Sequence, residues 1–166
     1  MPSDHVARLQ AEWALTRPEL DVSPVGVIGR LHRLAAALTE ELVAVYREYG
    51  LSEGEFDVLS ALRRAGAPYE RAPGELAKHT MVTTSAITKR IDRLETAGFV
   101  RRWQSEDDGR GRVVGLTAAG VALIDRAFEH HLSNEKRLLA ELEPAEAQAL
   151  ETILTKWLSV HEVPQE

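Results

Sequence analysis

The stretch 83–117, TTSAITKRIDRLETAGFVRRWQSEDDGRGRVVGLT, decides the fold. Thr83 or Thr84 is suited to cap a helix start, and Gly98 follows the last turn of the helix that would result. Ile87, Ile91 and Leu94 recur at helical spacing and so face a core. Ser85, Lys89 and Asp92 then fall on the opposite face, where short polar and cationic side chains reach outward. Beyond Gly98, Phe99 to Trp103 reads as a strand and Val113 to Leu116 as its return. The loop between them carries Glu106, Asp107, Asp108, Arg110 and Arg112, too polar to be buried. A helix, a strand, a charged loop and a second strand, in that order, make a winged helix-turn-helix. Docked on DNA, such a unit would present Thr83, Thr84, Ser85, Thr88 and Lys89 of the recognition helix to bases and phosphates. Arg110 and Arg112 at the loop tip would meet the minor groove or phosphates. The plainer alternative is a solvated hairpin behind an amphipathic helix; a winged helix used for protein–protein contact is another, against which the arginine-rich tip Asp107-Asp108-Gly109-Arg110-Gly111-Arg112 argues, since such a wing would carry apolar residues.

Working outward, the punctuation predicts a mainly α chain with a small β-wing. Ser3 or Asp4 is placed to cap a first helix over about 3–15, which carries Val6, Leu9 and Trp13 and stops before Pro18. Ser23-Pro24 opens a long helix over 23–49 that Gly50 closes. Ser52-Glu53-Gly54-Glu55 is a capping box for a third helix reaching about Arg64. Pro73 starts a short helix to His79, the first of the helix-turn-helix. Thr117 caps another long helix reaching about Leu142, and Pro144 opens the last, ending near His161. Three regions follow: N-terminal helices over 1–50, a winged helix-turn-helix over 51–117 (recognition helix about 83–97, wing about 99–116), and C-terminal helices over 118–166. The terminal helices hold more apolar surface than one core needs, including Val121, Leu132, Leu138, Ile153, Leu154 and Trp157. Such an excess points to an interface, and a monomer with a helical appendage is the alternative.

The run Asp108-Gly109-Arg110-Gly111-Arg112-Val113-Val114-Gly115-Leu116-Thr117 resembles the wing pattern D-x-R-x-x-x-V-x-L-T of the MarR family of bacterial transcription regulators. Leu94-Glu95-Thr96-Ala97-Gly98-Phe99-Val100-Arg101-Arg102 is similar to that family's L-E-x-x-G-[LF]-[IV]-x-R stretch. The likeness runs from Trp13 to the last helix. It implies that the arginine at 110 enters the minor groove, that Asp108 braces it, and that terminal helices of two chains interlock as a homodimer. Two-fold symmetry would then set two recognition helices about 34–36 Å apart on a pseudo-palindromic operator in double-stranded DNA.

Composition narrows the classes further. The chain has 166 residues, 44% of them hydrophobic, enough for one or two compact units. It has no cysteine, which excludes disulfides, thiolate metal sites and a cysteine redox sensor. The six histidines show no metal-ligand spacing on one helix face. There is no nucleophile elbow, no glycine-rich phosphate loop and no apolar run of membrane-span length. A cytoplasmic, non-enzymatic protein without cofactor, metal or membrane partner is expected. The net charge of −6 does not oppose DNA binding, because charges beyond about 8 Å from the phosphates are largely screened. Residues 71–112 hold nine Lys or Arg against six Asp or Glu, a surplus of +3, while the rest of the chain carries −9.

A second site is suggested by Arg90. Its helical angle places it beside the Ile87, Ile91 and Leu94 stripe, so it points toward the protein while Lys89 points away. Arg102 begins the wing strand just past the same helix, and two inward guanidinium forks suit a planar anion or carboxylate. With Trp13 on the first helix and Asp57 on the third, the set resembles the ligand pocket of the urate-responsive PecS/HucR subgroup, to which trans-aconitate-responsive relatives are similar. The resemblance implies a repressor released by a small anionic ligand, urate first and trans-aconitate or citrate second. Singly, Trp13 is also at core spacing, Asp57 fits a solvated or ion-paired carboxylate, and Arg102 is also placed to touch a phosphate.

Overall fold

The protein is seen here as a computed structural model that describes residues 4–80, 84–104 and 112–161. Its elements run α1 (His5–Thr16), α2 (Ser23–Glu48), α3 (Glu53–Arg64), β1 (Glu70–Arg71), α4 (Pro73–His79), α5 (Thr84–Thr96), β2 (Val100–Gln104), β3 (Arg112–Leu116), α6 (Ala118–Leu139) and α7 (Pro144–Leu158). The fold is the expected one, mainly helical with a small antiparallel sheet.

Local chemistry accounts for most boundaries. The Asp4 carboxylate accepts from Ala7 N–H at 2.8 Å and caps α1. Ser52 and Glu55 form the reciprocal capping box of α3, with Ser52 N–H donating to Glu55 Oε2 at 2.8 Å. Thr117 Oγ1 accepts from Gly120 N–H at 3.0 Å and starts α6. The start of α2 differs from expectation. Ser23 lies inside the helix, and its N–H is satisfied by the Asp21 carboxylate at 2.9 Å. The last two helices end sooner than the periodicity suggests, at Leu139 and Leu158. Past Leu139 the chain turns at Ala140, whose N–H still reaches the Lys136 carbonyl at 3.0 Å.

The sheet has three strands in the order β1-β3-β2. Val100 pairs with Leu116 and Gln104 with Arg112 across the wing hairpin, while Glu70 pairs with Gly115 at the other edge. The core lies between α3, α4, α5, the sheet and the first turns of α6. Leu59, Leu62, Leu76, Ile87, Ile91 and Ile124 are all fully buried there. Each such side chain contributes about 1.5–3 kcal/mol relative to exposure. Tyr46 from α2 joins this core by stacking on Phe56 at 4.0 Å. By contrast α7 buries no residue at all. No helix among the described residues is long and apolar enough to cross a membrane.

Candidate functional site

Helix α5 presents two faces of opposite character. Ile87, Ile91 and Leu94 are buried, whereas Ser85, Thr88, Lys89 and Asp92 are exposed. The exposed row lies on the helix that follows α4, with the wing strands beyond it, which is the placement a major-groove reader requires. Thr84 opens the helix, and Arg112 is exposed at the start of β3. Thr83, Asp108 and Arg110 lie outside the described residues.

Arg90 takes the third direction available on this helix. Its guanidinium packs over Gly54 in the first turn of α3, so closely that a Cβ at position 54 would fall 2.2 Å from Arg90 Cζ and Nε. Only glycine leaves room for it. Nη1 is buried there and has no hydrogen-bond partner among the described residues. A helix start carries partial positive charge, so a cation gains nothing from that backbone. Acidic side chains of α3 offset this. Asp57 is half-buried, and desolvation, followed by the charge of Glu53, raises its carboxyl above the ordinary aspartate range. Arg90, Arg64 and His131 pull it back. The structure therefore brings Arg90 and Asp57 into one electrostatic neighbourhood.

An aromatic group adjoins this pair. His131 shares a hydrogen bond with Tyr46 Oη at 3.3 Å and packs on Phe56 and Phe128 at 5.2 and 5.5 Å between ring centres. Burial, with the nearby charge of Asp57, pushes the Tyr46 hydroxyl up to about 12, so it stays neutral. Beyond it, a cleft of about 450 Å³ between α3 and α6 is lined by Ser60, Arg63, Arg64 and Phe128 among others. Arg63 is occupied there by Asp125 at 2.6 Å and lies over the Tyr69 ring.

The other two expected ligand residues are placed differently. Trp13 is 47% exposed on α1, and that helix packs along α2, with Gln10 Nε2 donating to the carbonyl of Val22, just ahead of α2, at 3.0 Å. Arg102 projects from β2 onto carboxylates of α5, with Nη2 at 2.6 Å from Asp92 and Nε at 2.9 Å from Glu95. Sequence reading gives Glu95 and Gly54 no part in the site. The signal for Glu95 is its position seven residues before Arg102, across the turn at Gly98.

Residues 51–111 match the MarR family. Over 149 residues the chain is 40% identical to the transcriptional regulator PecS of Dickeya dadantii, with 90% of each chain covered. The chain belongs to the MarR family. Among solved structures of that family, AbsC from Streptomyces coelicolor superposes with a TM-score of 0.73 at 26% identity, covering 86% of this chain and 96% of its own. A mutant MarR from E. coli, complexed with operator DNA, does so with a TM-score of 0.67 at 28% identity, covering 84% and 99%. As a member of that family, the chain is a DNA-binding transcription regulator with a mainly helical, winged-helix fold.

Proposed function

We propose that this MarR-family regulator is a homodimeric repressor that binds a pseudo-palindromic operator in the cytoplasm and leaves it when a small planar anion binds beside Arg90. The observation that carries this reading is the seat of Arg90. Its guanidinium faces the protein with one buried nitrogen that has no hydrogen-bond partner among the described residues, while Lys89, the preceding residue on the same helix, faces solvent. An anion at Arg90 gains a fork of donors and relieves a buried cation. An anion held between Arg90 and α3 sets a new spacing between α5 and α3, and the exposed face of α5 shifts with it. Ligand and DNA binding then oppose each other with a reciprocal coupling of about 1–3 kcal/mol.

Pairing of two chains is supported by the apolar surface left open in one. Ile153, Leu154 and Leu158 of α7 and Val27, Ile28 and Leu34 of α2 are exposed. Unsatisfied apolar area on the terminal helices fits a helical dimer interface. Support for DNA as partner comes from the exposed Ser85, Thr88 and Lys89 row and from the E. coli MarR relative, which was solved bound to operator DNA. Urate is the first choice of anion. Asp57, beside Arg90, accepts a planar monoanion more readily than a tricarboxylate, whose extra charges it repels. Fluorescence anisotropy on DNA from upstream of the protein's own gene tests the reading. Saturable binding that urate reverses, and that citrate or trans-aconitate reverses less well, is the expected result. Binding unchanged by all three anions overturns the sensing half, and absence of binding overturns the whole.

A further inference from the structure

The cleft of about 450 Å³ between α3 and α6 falls within the range of about 300–1,000 Å³ usual for small-molecule sites. It is set apart from the Arg90 seat, since α3 rises about 15 Å from Gly54 to Arg64 at about 1.5 Å per residue. From α6 the buried Ile124 and the ring of Phe128 supply an apolar side. Ser60 of α3 lines the interior, and its hydroxyl is buried with no hydrogen-bond partner among the described residues. A buried hydroxyl left unpaired costs free energy that a ligand group reaching it recovers. Arg63 and Asp125, one from each wall, occupy each other at 2.6 Å. Arg64 on α3 and Glu129 on α6 do not. Both line the cleft, both are exposed, and neither is in an ion pair among the described residues, although Arg64 bears on the charge of Asp57. Opposite charges on facing walls that do not close on each other leave a gap for a molecule carrying both.

We propose that this cleft is a second ligand site, built for a small zwitterion with a phenolic side group, the class of a free aromatic amino acid. The site does not rest on the anion-sensing reading above. The ligand carboxylate meets the Arg64 guanidinium fork, its ammonium meets Glu129, its ring lies against Phe128, and its phenol hydroxyl reaches Ser60. Each wall also rejects half of the wrong molecule. A plain carboxylate is repelled by Glu129 and a plain amine by Arg64, so selectivity for the zwitterion comes from repulsion as much as attraction. A ligand held from both sides bridges α3 to α6.

Calorimetry on the full chain with L-tyrosine and its two fragments, 4-hydroxyphenylacetate and tyramine, tests the site. Tyrosine should bind saturably and each fragment at least about tenfold more weakly, as for loss of one charge-assisted contact. Arg64→Gln should weaken tyrosine about tenfold while tyramine binds as before or tighter. Glu129→Gln should weaken tyrosine likewise while 4-hydroxyphenylacetate binds as before or tighter. Both positions are exposed, so the fold is retained. Ser60→Ala should erase a preference of about threefold for L-tyrosine over L-phenylalanine, the effect of one neutral hydrogen bond. Arg90→Ala should leave all of these values unchanged. No saturable binding of tyrosine, fragments that bind as well as tyrosine, or tyrosine binding indifferent to both charge variants overturns the proposal. Tyrosine binding that Arg90→Ala abolishes overturns it too, by moving the ligand to the other seat. Urate titrations of the same Arg90→Ala protein decide the anion-sensing reading separately.

Discussion

Replacing Gly54 with alanine should separate the stability of the fold from its response to ligand. The added methyl would sit 2.2 Å from Cζ and Nε of Arg90 and 2.6 Å from Nη2, well inside the contact distance of about 3.5 Å. What it strikes is the end of a flexible side chain, so the guanidinium moves and α3 does not. Three terms set the outcome. Alanine in place of glycine within a helix favours folding by up to about 1 kcal/mol. Returning the buried Nη1, which has no partner among the described residues, to water recovers part of a desolvation cost of about 1–3 kcal/mol. Against these stands the lost attraction to Asp57, about 1 kcal/mol or less for a partly exposed pair. The balance runs from neutral to about 2 kcal/mol stabilising, which for a chain of this size keeps the Tm level or raises it by about 2–4 °C per kcal/mol. Lys89 is untouched, so operator affinity should stay within about threefold of wild type, by the usual tolerance for changes away from the contact surface. Release by urate should disappear. Thermal melting and anisotropy titrations with urate measure the two effects separately. A variant released by urate at wild-type concentrations would show that the Arg90 seat has no part in sensing, and one that unfolds would refute the packing argument.

Adjacent residues on α5 should behave oppositely. Lys89→Ala should weaken operator binding by about tenfold with or without ligand, as loss of one contact at 1–3 kcal/mol predicts, whereas Arg90→Ala should bind DNA but ignore urate in the same titration. Asp57→Asn tests the cost of a half-buried charge. Because the Asp57 carboxyl is raised in the folded protein, wild type loses stability as pH rises through that raised value, and the variant does not. Urea titrations should find the variant at least as stable near neutrality, with the gap closing as the pH falls toward the carboxylate range; a gap that widens on acidification reverses the sign and refutes the account. Gly120→Ala should be damaging, since its Cβ would lie 2.0 Å from the Phe99 carbonyl oxygen, a backbone atom that does not swing aside. A fall of about 1–3 kcal/mol in denaturant unfolding is expected, as for other overpacked sites. Ile153→Asp replaces a side chain that is 58% exposed in the single chain and so should not unfold it. Light scattering should find a folded monomer, and a dimer of wild-type affinity would exclude α7 from the interface.

The helices are legible in the sequence because their punctuation and their apolar spacing agree. On α5 the Ile87, Ile91 and Leu94 stripe fixes the buried face, and the outward direction of Lys89 follows from the helical angle alone. The strand Glu70–Arg71 is not legible, since two residues between Pro68 and Pro73 are too few to show an alternating pattern. Its partner on β3 lies over forty residues away in the chain, and only the assembled sheet makes it a strand. Serine before proline is a strong local signal for a cap at Ser23, yet Asp21 reaches the Ser23 N–H from further back. Within the candidate site, the inward direction of Arg90 is readable and its seat on Gly54 is not. Close approach of a side chain to a distant glycine leaves no periodic trace. Arg102 shows the converse limit. Its charge suggests an open anion site, but which carboxylate claims a guanidinium is settled by the turn at Gly98 that lays β2 back along α5.

Thr117 has a mechanical consequence beyond its cap. Its hydroxyl donates to the Gly98 carbonyl at 2.7 Å while its backbone N–H donates to Phe99 O at 3.0 Å, and Gly120 lies flush against that same carbonyl. The first turn of α6 is thereby riveted to the elbow between α5 and β2. With 22 residues, α6 is a rod about 33 Å long at 1.5 Å per residue. A tilt of about 5° at the riveted end sweeps the far end, near Leu139, through about 3 Å on that length. Midway along the rod His131 and Phe128 touch the aromatic group beside Asp57. The fulcrum, the aromatic contacts of Phe128 and His131 and the far tip therefore share one helix, and a displacement too small to break any packing at the elbow becomes a full side-chain offset at the far tip.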